Sequence, residues 1–237
     1  FISPVQPQGE VWRVSAAGLN LAETIVLQND TSTVDGEDRS QGYPNYLASV
    51  TISPDGERAW IPSQKVNTGR GTFLSGEALT FESTVRTIVS QIDLATHDED
   101  FAAQFDFNDA NLATDAVFTP LGDYVFVALQ ANNKVELLDA YAGSSLGQLI
   151  TDRAPKGLAI SDDGRRLYVH NFMGRSVEVF DTGGLIDGSN FLAPSLALVD
   201  TVGSEALSAS VLNGKRIFYN ADDTRMALDG YMTCASC

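Results

Sequence analysis

Cysteine, histidine and basic side chains are all scarce in this sequence. Its only cysteines, Cys234 and Cys237, fall within the last four of 237 residues. No disulfide can therefore cross-link the body of the fold, which must be held by packing. Two histidines, His97 and His170, leave little material for a metal centre or a general base. Lys and Arg number 15 against 31 Asp and Glu, a formal net charge of −16. Phosphate binding rests on clustered Lys and Arg, so this balance argues against nucleic acid and against an anionic membrane surface. No apolar run approaches the roughly 18 residues of a membrane helix, so membrane insertion is not expected. The G-x-S-x-G elbow, the H-E-x-x-H pair and the Walker glycine loop are missing too. No catalytic residue is assigned. The chain begins at Phe1 rather than Met, the expectation for a mature chain whose export signal has been removed.

What is present is a repeat. Val50-Thr51-Ile52-Ser53-Pro54-Asp55-Gly56, Ala116-Val117-Phe118-Thr119-Pro120-Leu121-Gly122 and Leu158-Ala159-Ile160-Ser161-Asp162-Asp163-Gly164 align without gaps. Each leads into an apolar triplet, namely Ala59-Trp60-Ile61, Val125-Phe126-Val127 and Leu167-Tyr168-Val169. A turn glycine between two apolar runs signals a β-hairpin, and Pro54 and Pro120 suit the first corner of such a turn. The register extends further. Gly122 to Asp139 and Gly164 to Asp181 both span 17 residues, whereas Gly56 to Asp93 spans 37. A 20-residue insertion at about residues 69–88 accounts for the difference. Val11-Trp12-Arg13-Val14-Ser15 matches the strand before these aspartates, from a repeat whose first half is absent. Corrected for the insertion, the spacing is 42 to 46 residues, the length of a four-stranded propeller blade. Helical periodicity is nearly absent. The expectation is an all-β chain, a β-propeller of four-stranded antiparallel blades forming a partial ring. A β-sandwich would explain the strands but not the constant 17-residue register.

The third copy, Ser161-Asp162-Asp163-Gly164-Arg165-Arg166-Leu167-Tyr168-Val169-His170-Asn171 with Ser176-Val177-Glu178-Val179-Phe180-Asp181, resembles the YVTN family of β-propeller repeats found in surface-layer and YncE-like proteins. The other copies depart from it at Trp60-Ile61-Pro62 and Phe126-Val127-Ala128. The resemblance covers about residues 10–200 and implies a propeller over residues 1–205.

Residues 206–237 read differently. Val211-Leu212-Asn213-Gly214-Lys215-Arg216-Ile217-Phe218 suits the start of a fourth hairpin. Continued through Arg225-Met226-Ala227-Leu228-Asp229-Gly230 to Cys234-Ala235-Ser236-Cys237, it resembles the opening of the di-haem cytochrome c peroxidase and MauG-like family. That resemblance implies haem c as cofactor, bound through Cys234 and Cys237, and electron transfer as the activity. Two thioethers one turn apart and an imidazole from the next residue hold such a haem. These residues supply the two sulfurs but no histidine after Cys237. Read alone, C-x-x-C also suits a redox dithiol, a disulfide or half a zinc site.

Other candidates have plainer readings. His97 lies in an acidic turn, and His170 takes a strand position where the repeat family has threonine, packing or lining the channel. The acidic stretch Asn29 to Asp38 offers oxygen ligands for calcium but not in the EF-hand register, so a solvated loop is simpler. Asp106-Phe107-Asn108-Asp109 fails in the same way. Asn29-Asp30-Thr31 is formally a glycosylation sequon. Phe73 and Leu74 in the insertion suit either a cover for the channel mouth or an extended hairpin. Two functions follow. One is a scaffold module of an exported, periplasmic or extracellular c-type haem oxidoreductase, meeting a redox partner protein or second cytochrome domain. The other is a non-catalytic surface propeller that binds a protein, glycan or cell-wall partner.

Overall fold

The structure, a computed structural model, describes residues 8–236. It opens with the hairpin of β1 (Glu10–Ser15) and β2 (Asn20–Val26), a sheet of two antiparallel strands. A larger sheet follows, built from β3 (Tyr43–Asn45), β4 (Thr51–Ile52), β5 (Arg58–Val66), the single turn α1 (Phe81–Thr84), β6 (Val85–Asp93), β7 (Asp98–Glu99) and β8 (Phe105–Asp106). Here β5 and β6 are the long central strands. The inner and outer positions are each split between two short strands, β3 and β4 against β5, β7 and β8 against β6. Next come two regular four-stranded meanders. The first holds β9 (Ala113–Phe118), β10 (Tyr124–Leu129), β11 (Lys134–Asp139) and β12 (Ser144–Ile150). The second holds β13 (Pro155–Ile160), β14 (Arg166–Asn171), β15 (Ser176–Asp181), the turn α2 (Gly183–Ile186) and β16 (Ser195–Asp200). Helix α3 (Ala209–Phe218) leads into the terminal segment.

The repeat is visible as repeated chemistry. Gly56, Gly122 and Gly164 have φ of 74°, 76° and 72°, the left-handed conformation that favours glycine. Their amides bond back to the carbonyls of Ser53, Thr119 and Ser161 at 2.8, 2.9 and 2.8 Å. The hydroxyls of those three residues accept from the amides of Arg58, Tyr124 and Arg166 and donate to Asp55, Asp123 and Asp163. The 17-residue register is the pairing across the central hairpin: Arg58 opposite Asp93, Tyr124 opposite Asp139 and Arg166 opposite Asp181. Each of these aspartates then accepts from amides of the following turn, as Asp139 does from Tyr141 and Ala142.

Neighbouring sheets pack face to face as blades. Trp60 and Val89 of one meet Phe118, Val125, Val127 and Leu138 of the next, with the Trp60 and Phe118 rings edge-on at 5.4 Å. On the other face of β10, Phe126 joins Val135 and Leu137 in packing against Leu167, Val169 and Phe180. Ile25 and Leu27 close the first interface against Ala59, Ile61 and Ile92. The first strands of consecutive sheets converge. Strand β9 lies against β4 and β13, and Asp115 Oδ2 accepts from the Leu158 amide at 2.8 Å. This is a partial β-propeller ring, built of strands through residue 200 apart from short helical turns.

Two expectations change in detail. Residues 64–87 stand where the next blade has only 130–133, since Ser63 pairs Ile88 as Leu129 pairs Lys134. The extra chain lengthens β5 and β6 to nine residues each before it loops. The fourth hairpin does not form. Its residues make α3, where Ser208 caps the N-terminus by accepting from the Val211 amide and Lys215 and Arg216 occupy the last turn, both favourable to a helix.

Candidate functional site: a cysteine-bearing turn docked on the ring

The terminal segment does not trail from the last blade. It turns back at Tyr219, whose ring meets Phe172 edge-on at 5.6 Å, and runs over the end of the blade formed by β9 to β12. There the Ala221 amide bonds to the Ala131 carbonyl at 2.8 Å. Ala221 is buried with Leu112 and Ala131, and Ala235 packs against them. Asn133 Nδ2 donates to Asp222 Oδ2 at 3.0 Å and to Asn220 Oδ1 at 3.3 Å. Asn132 Nδ2 donates to Asp222 Oδ1 and to the Gly230 carbonyl, both at 3.1 Å. Asn111 Nδ2 reaches the Tyr231 carbonyl at 2.7 Å. Tyr231 is 1% exposed and lies beneath the Arg86 guanidinium, 5.7 Å from its ring centre. Burial pushes its phenol above the usual range.

Three residues on, Cys234 opens the 3₁₀ turn Cys234–Ser236 with its side chain exposed. Thr233 organises this turn. Its backbone amide donates to Ser236 Oγ at 2.9 Å, its hydroxyl accepts from the Ala235 amide at 3.1 Å, and its carbonyl accepts from Ser236 Oγ at 2.8 Å. Residues three apart stack on one side of such a turn. Cys237 lies outside the described residues. What is described fits one thioether anchor: an accessible sulfur on a helical turn held by the protein.

Beside the docked segment lies a cavity of about 580 Å³ between the insertion and the tail, with Glu37, Glu82, Asp109, Asp229, Arg70 and Tyr231 among its walls. Its insertion side stands on a buried charge network that composition did not reveal. Lys65, 1% exposed, reaches Gln104 at 2.7 Å, Asp106 at 3.0 Å and Asp30 at 3.6 Å. Arg86 lies 3.7 Å from Asp106 and donates to the carbonyls of Gly36, Glu37 and Glu82 and to the Asn108 side chain. Burial raises the Asp30 carboxyl, but hydrogen bonds from Thr33, the Lys65 charge and a bond from Ser32 outweigh it, and the net shift is downward. Arg70 pairs with Asp35 at 2.6 Å and Glu77 at 3.0 Å.

The remaining candidates lie apart from this arrangement or inside its scaffold. His97 Nδ1 sits 2.8 Å from Glu23 in the turn after β6, and His170 is exposed on β14. Within the acidic stretch, Asp30 and Asp35 are held by Lys65 and Arg70, and Asp38 Oδ1 accepts from Asn108. Among the described residues no group of three or more His, Cys, Asp or Glu is arranged to hold a metal ion. Phe73 and Leu74 are exposed at the tip of the insertion. Sequence reasoning missed Asn111, Asn132, Lys65 and Arg86. The asparagines lie between strands, and the two cations gave no signal.

No protein-family model matches the chain, and no curated protein matches it. Among solved structures it is similar to hydrazine synthase of Kuenenia stuttgartiensis, at 17% identity and a TM-score of 0.58 over 73% of this chain. The matched part is 51% of that protein's chain, so the residues here span about half its length. The WD40 repeats of RRP9 match 73% of this chain and 44% of that one, at 12% identity and a TM-score of 0.47. At such identities the likeness to hydrazine synthase speaks for the propeller fold alone.

Proposed function

We propose that this chain is the propeller scaffold of an exported c-type haem oxidoreductase, similar to di-haem cytochrome c peroxidases, and that its ring carries the haem-anchoring turn. The observation behind this reading is the docking of residues 219–236. A segment that resembles the opening of a di-haem cytochrome c peroxidase is fastened to the blade by side-chain amides and a backbone bond rather than left as a linker. Cys234 and Cys237 are the thioether anchors, and the haem attached there supplies one-electron transfer. The protein's own part is to hold the turn, to shield its inner side with Tyr231 and Ala221, and to leave the Cys234 sulfur open. The repeats are of the YVTN kind. The compartment is periplasmic or extracellular, where c-type haem is attached. With a net charge of −16, association is electrostatically steered toward a redox partner or cytochrome domain bearing a basic patch.

The test is absorbance of the full-length protein matured in an oxidising compartment with haem-attachment machinery. We expect Soret and α bands that survive acidic organic extraction, and their weakening or loss in Cys237→Ser. Absence of covalent haem from that wild-type protein overturns the reading and favours a ring that binds a protein, glycan or cell-wall partner.

A further inference from the structure

We propose that Asn111 and Asn132 are positioning residues, which clasp the terminal segment and so set where the Cys234 turn stands relative to the ring. The proposal deepens the haem reading above and rests on it for its functional meaning, though not for its geometry. Asn132 works in two directions. Its Oδ1 accepts the backbone amide of Asn111 at 2.7 Å within the blade, while its Nδ2 donates to Asp222 Oδ1 and the Gly230 carbonyl, both at 3.1 Å, in the tail. Asn111, wholly buried, donates at 2.7 Å to the Tyr231 carbonyl, 120 residues away in sequence. An amide withdrawn from water keeps its stabilising effect only while its partners stay in place. Undocking the tail would leave both donors without those partners.

Gly230 supports the same conclusion independently. Its φ is +69°, and a Cβ at this position would lie 2.8 Å from Asn132 Nδ2 and 3.2 Å from the Asp109 carbonyl oxygen. The residue has no side chain where the tail passes closest to the clasp, and its left-handed backbone aims the chain down into the contact. Tyr231 then enters beneath Arg86, and Cys234 follows three residues later on the outer side. Between clasp and sulfur there is one short turn, itself closed by Thr233 and Ser236. The orientation of anything bonded to that sulfur is therefore inherited from the blade.

Hydrogen exchange read by mass spectrometry on this chain tests the clasp without haem. Wild type should exchange slowly at Ala221, whose amide bonds into the blade, and at Met226 and Ala227, whose amides bond to Asp223. Asp222 is exposed, so Asp222→Ala leaves the blade intact. It should speed exchange in the tail about tenfold, the effect of losing a hydrogen-bonded carboxylate, with β9 to β11 unchanged. Asn132→Asp keeps the oxygen that serves Asn111 but sets a carboxylate against Asp222 and the Gly230 carbonyl. It should release the tail further, and adding Asp222→Asn should restore part of the protection. Rapid exchange of the tail in wild type overturns the proposal. So do unchanged tail rates in Asp222→Ala, which decides the matter if Asn132→Asp unfolds. The two readings fail separately: a protected tail in a full-length protein without haem sinks only the haem reading, and covalent haem on an unprotected tail sinks only the clasp.

Discussion

At the residue scale, the informative side chains are polar groups in places that look apolar from sequence. Glu136 lies in the middle strand of a buried blade with 5% exposure, paired across β10 with Val127, and accepts from the Ser145 hydroxyl. Burial raises its pKa, more than the Ser145 bond and the Lys134 charge lower it. A carboxyl whose folded value is raised binds its proton more tightly in the folded state. Stability is then lost as pH rises from the ordinary carboxylate range through the folded value. Glu136→Gln keeps the acceptor for Ser145 and removes the buried charge. Thermal unfolding should therefore show a higher Tm than wild type at about pH 7 and little difference at about pH 4. An equal shift at both values would mean that packing, not charge, governs the site. Lys65 and Arg86 are the opposite case, because each is enclosed by acceptors. Breaking one buried charge from its partners costs about 3–5 kcal/mol, so these cations fix the base of the insertion.

At the element scale, burial follows the number of neighbours each strand has. Strand β10 has blades on both sides and reads as a nearly continuous buried run, whereas β14 alternates buried and exposed positions. Phe126, fully buried between two blades, should therefore cost about 3–5 kcal/mol when changed to alanine. Phe73 and Leu74, with relative exposures of 102% and 71%, should cost nothing outside about ±0.5 kcal/mol when both become serine. Chemical denaturation of the two variants checks the contrast. A large loss in the second would mean that the insertion tip packs against something in this chain. The turn glycines belong to this scale as well. Each hairpin tip is built from a serine or threonine, a left-handed glycine and an aspartate within a few residues, which is why it could be read without a fold. The insertion was legible in length but not in form. Its added residues extend the ladder of β5 and β6, and a periodicity argument does not say where strand ends and loop begins.

At the scale of the whole molecule, the ring is open. Strand β16 is exposed along its full length, and Leu196, Leu198 and Val199 on it are each about half exposed. At the other end, Trp12, Val14 and Leu21 of the first hairpin are also exposed. Apolar surface of this extent is where a further blade or partner would pack. Leu198→Lys should leave the unfolding midpoint of this chain within about 0.5 kcal/mol and reduce its binding of a hydrophobic dye. A marked loss of stability would show that the face is already covered in solution.

The sequence by itself determined the blade. Hairpin tips, the 17-residue register and the alternation of apolar residues are short-range matters, settled by the steric needs of glycine, the reach of a hydroxyl and the pleat of a strand. It also marked Cys234 and Cys237 as a C-x-x-C pair, a spacing shared by several chemistries. Tertiary structure alone decided where the Cys234 turn stands and what holds it. Asn111 and Asn132 count as loop residues until a segment 90 to 120 residues away removes them from water. Lys65 and Arg86 count as surface cations until the acidic stretch and β8 close around them. Burial is a property of what arrives from elsewhere in the chain, and a hydrogen bond acquires its full consequence only when water has been excluded.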